Sequence, residues 1–173
     1  MPKTRRSFLL AAAGVISTAT LGVGVVGGSV YAAWWDQAHS RNLRFLSDDE
    51  LAFTDALADA IFPPSPKLPI RGREAGVGLV LDEVLGGMAP FQRKMLRLSF
   101  HLLDQYSLPT HGKPFRELDE VEGAKIVAGW AQSEIAELRG LVAGTYVFVA
   151  MAYSVNPKVS PSLAQYFPCG YGR

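Results

Sequence analysis

The N-terminal part of the chain contains a long stretch, Phe8 to Ala33, without a single charged residue. About 20 mostly apolar residues are enough for a helix to cross the hydrocarbon core of a bilayer. The basic residues that precede the stretch, Lys3, Arg5 and Arg6, are expected to stay on the cytoplasmic side because of the positive-inside bias. The sequence therefore predicts that the remaining residues are delivered to a membrane or across it.

The residues around the start of this stretch resemble the twin-arginine export signal, in which Ser or Thr precedes Arg-Arg-x-Phe-Leu. Arg5, Arg6, Phe8 and Leu9 occupy the corresponding positions, while Leu10 stands where Lys is common. The resemblance implies export to the periplasm through the twin-arginine translocase. The alternative is an ordinary secretory signal or an anchor with a basic start.

Two fates of the apolar stretch are open. Val30-Tyr31-Ala32 offers small residues for cleavage, which would make residues 1–33 a removed signal. The stretch is longer than the core of a typical signal peptide, which has about 7–15 residues. Trp34 and Trp35 stand where interfacial aromatic residues anchor membrane proteins. If the stretch is retained, residues 8–33 anchor the protein in the inner membrane.

The charge balance and the single cysteine exclude several classes of function. A formal net charge of +1, without runs of Lys or Arg, does not fit a nucleic-acid-binding protein. The one cysteine, Cys169, cannot form an intrachain disulfide, a haem-attachment motif or a cysteine-based zinc site. Cys169 is interpreted as a packed thiol, with a disulfide to a partner as the alternative.

Helix signals follow one another from Ser47 onward. Ser47 and Glu50 form a capping-box pattern, and Pro63-Pro64 ends the helix that this pattern begins. The second helix is predicted from Arg73 to Leu85, ahead of a glycine pair that stops it. These boundaries place a proline-containing loop between the first two helices.

The third helix is predicted to begin at a proline, and its apolar residues at 4-3-4 spacing are expected to face the core. The apolar set is Phe91, Met95, Leu98 and Leu102, and the opposite side carries Arg93, Lys94 and Arg97. The fourth helix follows Asp119, and its buried side is expected to comprise Val121, Ala124, Val127, Ala128 and Ala131. The fifth, from Glu134 to Ser154, has an uncharged second half and is predicted to be a central core helix.

No segment alternates with the period of two that is typical of strands. The predicted fold is therefore all-α, an irregular bundle of about five helices preceded by an N-terminal apolar signal or anchor helix. The predicted organisation is a signal or anchor at 1–33, a linker at 34–46 and a helical domain at 47–173. Residues 109–114 are expected to form a loop, and residues 156–173 an irregular tail.

The sequence contains no pattern typical of catalysis, cofactor binding or metal binding. His39, His101 and His111 are scattered, and His101 is interpreted as a hydrogen-bonded or half-exposed residue of a helix. Asp55 and Asp59 are four residues apart but lack a third ligand at matching spacing. The glycines do not form a phosphate-binding loop. We therefore predict no catalytic, cofactor-binding or metal-binding residue in this chain.

Several segments of the chain resemble the small subunit (subunit 3) of gluconate 2-dehydrogenase and related periplasmic flavoprotein dehydrogenases. The resemblance lies in the leader, in the capping-box helix that closes on a Phe-Pro pair, and in segments that follow in similar order. These are residues 46–50, 58–63, 73–77 and 81–85, then Phe115, Leu118, Glu122, Trp130 and Tyr153, and finally 156–157 and 170–172. The resemblance covers most of residues 46–172.

The resemblance implies a non-catalytic accessory subunit. In that family FAD belongs to a large glucose-methanol-choline-type subunit, and a multihaem cytochrome c subunit commonly accepts the electrons. The small subunit carries the export signal for the folded large subunit and stabilises it. The alternative function is a membrane-anchored structural subunit of a larger electron-transfer complex.

Overall fold

The computed structural model describes His39, residues 43–66, Leu68 and residues 70–166. The helices are α1 (Asp48–Ile61), α2 (Val77–Gly87), α3 (Pro90–Tyr106), α4 (Leu108–His111), α5 (Glu120–Ala131), α6 (Ala136–Ser154) and α7 (Ser160–Tyr166), with a 3-10 turn at Phe115–Glu117. Within these described ranges there is no strand, and an isolated bridge joins His39 to Ser47. The predicted all-α class is confirmed.

The capping box at the start of α1 forms as predicted. The Glu50 amide donates to Ser47 Oγ at 3.3 Å, and the Ser47 amide donates to Glu50 Oε2 at 2.8 Å. Two of the amides that a helix start leaves without partners are thereby satisfied. The helix ends at Ile61, two residues before Pro63, as the proline pair predicts.

The second helix starts later than predicted, at Val77 instead of Arg73. Gly76, the residue before it, has a φ of +69°, which is the left-handed conformation that glycine adopts readily. The preceding residues form turns, with the Arg73 amide bound to Asp59 Oδ1 at 2.8 Å. A carboxylate from α1 therefore holds these residues out of the helix.

Helix α3 is rotated relative to the prediction. Phe91, which was expected to face the core, is 72% exposed, and Met95 is 41% exposed. The buried side instead contains Leu96, Phe100 and Leu103. The physical reason is the buried carboxylate of Glu50 on α1, which draws the polar side of α3 inward, as described below.

Helix α5 also turns a different side toward the core than the sequence predicts. Its buried residues are Gly123, Val127 and Trp130, whereas Val121 is 63% exposed. Gly123 lies against Ala60, since a Cβ added to it would come within 3.5 Å of that residue's Cβ. The small residue allows α5 to approach α1 closely and turns the Trp130 side inward.

The core contains aromatic rings supplied by five different elements. Phe53 of α1 lies 5.8 Å from Phe100 and 5.7 Å from Phe115 between ring centroids, and Phe115 lies 5.1 Å from Trp130. At the other end of α1, Tyr153 stacks on Phe62 at 4.0 Å. These contacts join α1, α3, α5, α6 and the 3-10 turn into one packed unit.

Three further boundaries differ from the prediction. The segment expected to be a loop at 109–114 begins within the short helix α4, and part of the expected irregular tail forms α7. Helix α6 begins at Ala136, with Ile135 in the capping position, two residues later than the predicted start at Glu134. Ser133 Oγ accepts the Ile135 amide at 3.2 Å, just outside the helix.

Candidate partner-binding surface

The most buried charged group in the described part of the chain is the carboxylate of Glu50, which is 1% exposed. It accepts Nε of Arg97 at 2.8 Å and a second guanidinium nitrogen at 3.0 Å. His101 Nε2 donates to the same carboxylate at 2.9 Å. Although burial alone would raise the pKa of Glu50, the hydrogen bonds from His101, Arg97 and Ser47 lower it below its ordinary value. These contacts bind α1 to α3.

A second buried ion pair lies between α3 and the 3-10 turn. Asp104 Oδ1 accepts the Arg116 amide at 3.0 Å, and its other oxygen accepts the Arg116 guanidinium. The same guanidinium lies 3.2 Å from Asp49 at the start of α1. Because both clusters are fully paired and lie between helices, we interpret them as packing contacts of the bundle and not as catalytic groups.

Asp55 on α1 is half-buried, and its carboxyl group is harder to ionise than an ordinary aspartate side chain. Burial raises the pKa of Asp55 to about 6, against the opposing effect of Arg73 and with a further increase from Asp59. Its carboxylate lies 3.8 Å from Arg73 Nε, whereas Asp59 holds the Arg73 amide at 2.8 Å. Asp55 and Asp59 thus hold the turns that precede α2 against α1, and no metal-ligand cluster occurs among the described residues.

Replacing Asp55 with asparagine is expected to remove a pH-dependent loss of stability. The folded protein holds the Asp55 proton more tightly than the unfolded chain, so wild-type stability falls as the pH rises from about 4 to about 6. The variant lacks this loss and should be about 2 kcal/mol more stable than wild type above pH 6, a value discounted for the carboxylate's partial exposure. Urea denaturation at pH 4, 5, 6 and 7 measures the difference.

The control for this prediction is Asp48→Asn, which changes an exposed carboxylate of the same helix. Its effect on the free energy of unfolding should vary little over the same pH range. A stability difference between Asp55→Asn and wild type that stays constant from pH 4 to pH 7 would contradict the assignment.

The three histidines take the positions expected of structural residues. His101 is buried and bonded to Glu50, which confirms the hydrogen-bonded alternative. His39 and His111 are exposed, as predicted. His111 lies at the edge of an open cleft of about 680 Å³ at the ends of α3 and α5, where Tyr106 and Trp130 make an edge-on contact at 6.0 Å. The cleft is lined by aromatic and hydroxyl-bearing side chains, but their arrangement is not typical of a catalytic site.

One side of α6 is exposed and carries no charge. This outer face comprises Gly140, Ala143, Gly144, Val147, Met151 and Val155. Val147 is 62% exposed, Val155 57% and Met151 43%. Their spacing of three or four residues puts them on one stripe along the helix. A solvent-facing helix surface ordinarily carries charged and polar side chains, so the outer face has the composition of a contact surface.

The prediction that α6 is a central core helix is confirmed only in part, because α6 packs against α1, α2, α3 and α5 but leaves one side exposed. The helix buries Val142, Val149 and Ala152 on its inner side, while its outer face meets nothing within the described part of the chain. The sequence signal was present, because a helix that is apolar on all sides is normally buried. The sequence did not indicate that one side of this apolar helix is exposed in the described part of the chain.

The outer face is also flat at its N-terminal end. A Cβ added to Gly140 or to Gly144 would meet no atom within 4 Å. These glycines lie one turn apart on the exposed side, so the helix backbone there is open to close approach by another element. This geometry suits a broad surface contact better than a pocket for a small ligand.

Helix α3 packs against the inner side of α6. Ser99 of α3 bonds Thr145 of α6 at 3.5 Å, and Tyr106 lines the same cleft as Leu138. Residue numbers therefore rise along α3 as they fall along α6, which makes the two helices antiparallel neighbours.

The predicted export and anchor residues fall elsewhere in the chain. Arg5, Arg6, Phe8, Leu9, Trp34 and Trp35 lie outside the described residues, as does Cys169. The described helices include none with both the length and the apolar character needed to span a bilayer. The assignments made for these residues remain predictions from the sequence.

Comparison with known families identifies the helical body. The family model described as gluconate 2-dehydrogenase subunit 3 matches residues 48–156, from the first residue of α1 to just beyond the end of α6. No curated protein and no solved structure matches the chain. The match covers the buried ion pairs, the aromatic core and the outer face. Because it extends over more than half of the 173 residues, the chain belongs to the gluconate 2-dehydrogenase subunit 3 family.

Proposed function

We propose that this chain is the non-catalytic small subunit of a periplasmic, membrane-associated flavoprotein dehydrogenase complex. It supplies the export signal through Arg5 and Arg6 and stabilises a large glucose-methanol-choline-type subunit that binds FAD. Electrons from the flavin pass to a multihaem cytochrome c subunit. In this proposal the chain itself holds neither cofactor.

The observation that carries the proposal is the outer face of α6. Val147, Met151 and Val155 expose apolar side chains on a stripe without charge, and burying such a stripe is favourable in rough proportion to its area. The large subunit is the partner that family membership supports. We therefore place the contact with the large subunit on this face.

The export role follows from the leader and the proposed complex together. The twin-arginine route moves folded proteins, so one signal can serve two subunits that associate before transport. In a strain that produces both subunits, Arg5→Lys combined with Arg6→Lys is expected to leave nearly all dehydrogenase activity of the large subunit in the cytoplasm. Activity in periplasmic, membrane and cytoplasmic fractions, measured with an artificial electron acceptor, tests this expectation.

The same strain tests the docking face through Val147→Asp. A charge placed on an exposed side chain changes folding stability by only about 0.5 kcal/mol, yet a carboxylate buried in an apolar interface is costly. The large subunit recovered with the tagged small subunit is expected to fall about tenfold, which corresponds to about 1.4 kcal/mol.

Val121→Asp is the matched control for Val147→Asp, because Val121 is 63% exposed but lies on α5. It should leave recovery of the large subunit unchanged. Equal losses with both variants would count against the outer face as the contact. Normal export of the large subunit in the double-lysine variant would count against the shared signal.

A further inference from the structure

The residues that precede α1 are fixed to the body of the domain. The backbone amides of Arg44, Phe45 and Leu46 all donate to the Asp82 carboxylate of α2, each at 2.9 Å. Asp82 is 5% exposed, so these hydrogen bonds are sheltered from water. The chain that enters from the N-terminal segment is therefore held at one place on the surface, against α2.

The connection between α2 and α3 lies next to this entry point. A Cβ added to Gly86 would come within 3.3 Å of the Phe45 ring. The guanidinium of Arg93, in the first turn of α3, lies 3.9 Å above the centre of that ring and also donates to the carbonyls of Leu85 and Met88. Arg93 thus fixes the interhelix tip, residues 86–91, beside the incoming chain.

The interhelix tip is apolar and exposed. Its residues, Gly86, Gly87, Met88, Ala89, Pro90 and Phe91, carry no charge. Phe91 is 72% exposed, the most exposed large apolar side chain in the described part of the chain. Leu79, which lines the same cleft as Arg44 and Phe45, is 55% exposed. An exposed aromatic and glycine-rich tip of this kind is typical of a loop that enters a membrane interface.

The length of chain before the entry point brings this tip close to any bilayer that holds the apolar stretch. The chain already contacts the domain at His39, which is bridged to Ser47 at the start of α1. Residues 34–38 connect the end of the apolar stretch to His39, and five extended residues span at most roughly 18 Å. Arg44 and Lys94 are exposed beside the tip, and Glu83 is the carboxylate on the same edge. These three side chains leave a small positive charge beside the tip, and the apolar residues of the tip itself supply most of the attraction.

We propose that the interhelix tip rests in the interfacial region of the lipid bilayer, with Phe91 inserted among the headgroups. Asp82 and Arg93 position the tip by holding the chain and the loop together. The inference rests on retention of residues 8–33 as a membrane anchor, one of the two fates left open by the sequence, and it orients the domain with the α2–α3 edge toward the lipid.

The test uses the full chain, reconstituted in vesicles of phosphatidylethanolamine and phosphatidylglycerol. Phe91→Cys is combined with Cys169→Ser, and the new thiol is given a nitroxide label. Collisions of the label with oxygen, which concentrates in lipid, and with a water-soluble nickel complex report its depth. We expect the label at position 91 to favour oxygen when vesicles are present, compared with the same protein in lipid-free detergent solution.

Val121→Cys in the same background is the matched control. Val121 is similarly exposed but lies near the other end of α1, where Glu120 pairs with Arg71 at 2.7 Å. Its label should favour the nickel complex in vesicles. A label at position 91 that is as accessible to nickel as the control overturns the inference while leaving the anchor in place.

Flotation of the vesicles separates failure of this inference from failure of the anchor. If the protein floats with the vesicles but the label at position 91 is accessible to the nickel complex, only the tip contact is contradicted. Protein that does not float contradicts both membrane insertion of residues 8–33 and the tip contact. A label at position 91 that loses access to both reagents indicates cover by protein, which also overturns the inference.

Discussion

Glu50→Ala is expected to lower the free energy of unfolding by about 3–5 kcal/mol, the range typical of breaking a buried ion pair from one side. The substitution leaves the Arg97 guanidinium, whose side chain is 11% exposed, without its carboxylate. It also removes the group that accepts the Ser47 amide and His101. Urea denaturation followed by circular dichroism at 222 nm, a wavelength that reports helix content, measures the loss.

Two further variants separate the buried contacts from the helix-dipole effect. Asp48→Ala removes an exposed carboxylate from the same first turn and should cost less than about 1 kcal/mol. Adding Arg97→Met to Glu50→Ala removes the guanidinium that has lost the Glu50 carboxylate and should recover part of the stability, by about 1–3 kcal/mol. If Glu50→Ala costs no more than Asp48→Ala, the cluster does not stabilise the α1–α3 contact.

Gly72→Ala is expected to destabilise the fold by about 3 kcal/mol, at the upper end of the usual cost of overpacking. A Cβ at this position would lie 2.3 Å from the carbonyl carbon of Ala58 and 2.4 Å from its oxygen. Both are backbone atoms of α1, so no side-chain rotation relieves the clash. Either the last turn of α1 or the loop after it must move, and the shift in urea midpoint at constant slope measures the cost.

Gly129→Ala is the matched control and should change stability in the opposite direction. Gly129 lies within α5, and a Cβ added there would meet no atom within 4 Å. Alanine loses less backbone freedom than glycine on helix formation, so a gain of about 0.5–1 kcal/mol is expected. A loss of similar size at both positions would show that close packing at Gly72 is not the cause.

The presence of the main helices was predictable because the signals that begin and end a helix involve residues only a few positions apart. The bond pair between Ser47 and Glu50 spans three residues, and the stop at Pro63 needs no distant partner. Asp119 likewise caps α5 by accepting the Glu122 amide at 2.8 Å. Such local chemistry is the same in the peptide and in the folded domain.

The orientation of α3 was not predictable from its own sequence. An apolar stripe at helical spacing, Phe91 to Leu102, normally marks the buried side. Here Arg97 and His101 are drawn inward by Glu50, which lies 47 and 51 residues away along the chain. The cost of leaving a buried carboxylate without partners exceeds the benefit of burying the stripe, and this balance appears only when the helices are packed together.

The candidate partner-binding surface was likewise only partly predictable from the sequence. The uncharged second half of α6 is plain in the sequence, but only the packed bundle shows that Val147 and Met151 face outward while Val149 faces inward. The sequence by itself determined the helical class, the cap of α1 and the prediction of an exported chain. The tertiary structure decided which faces remain uncovered, because burial depends on contacts between residues that are far apart in the sequence.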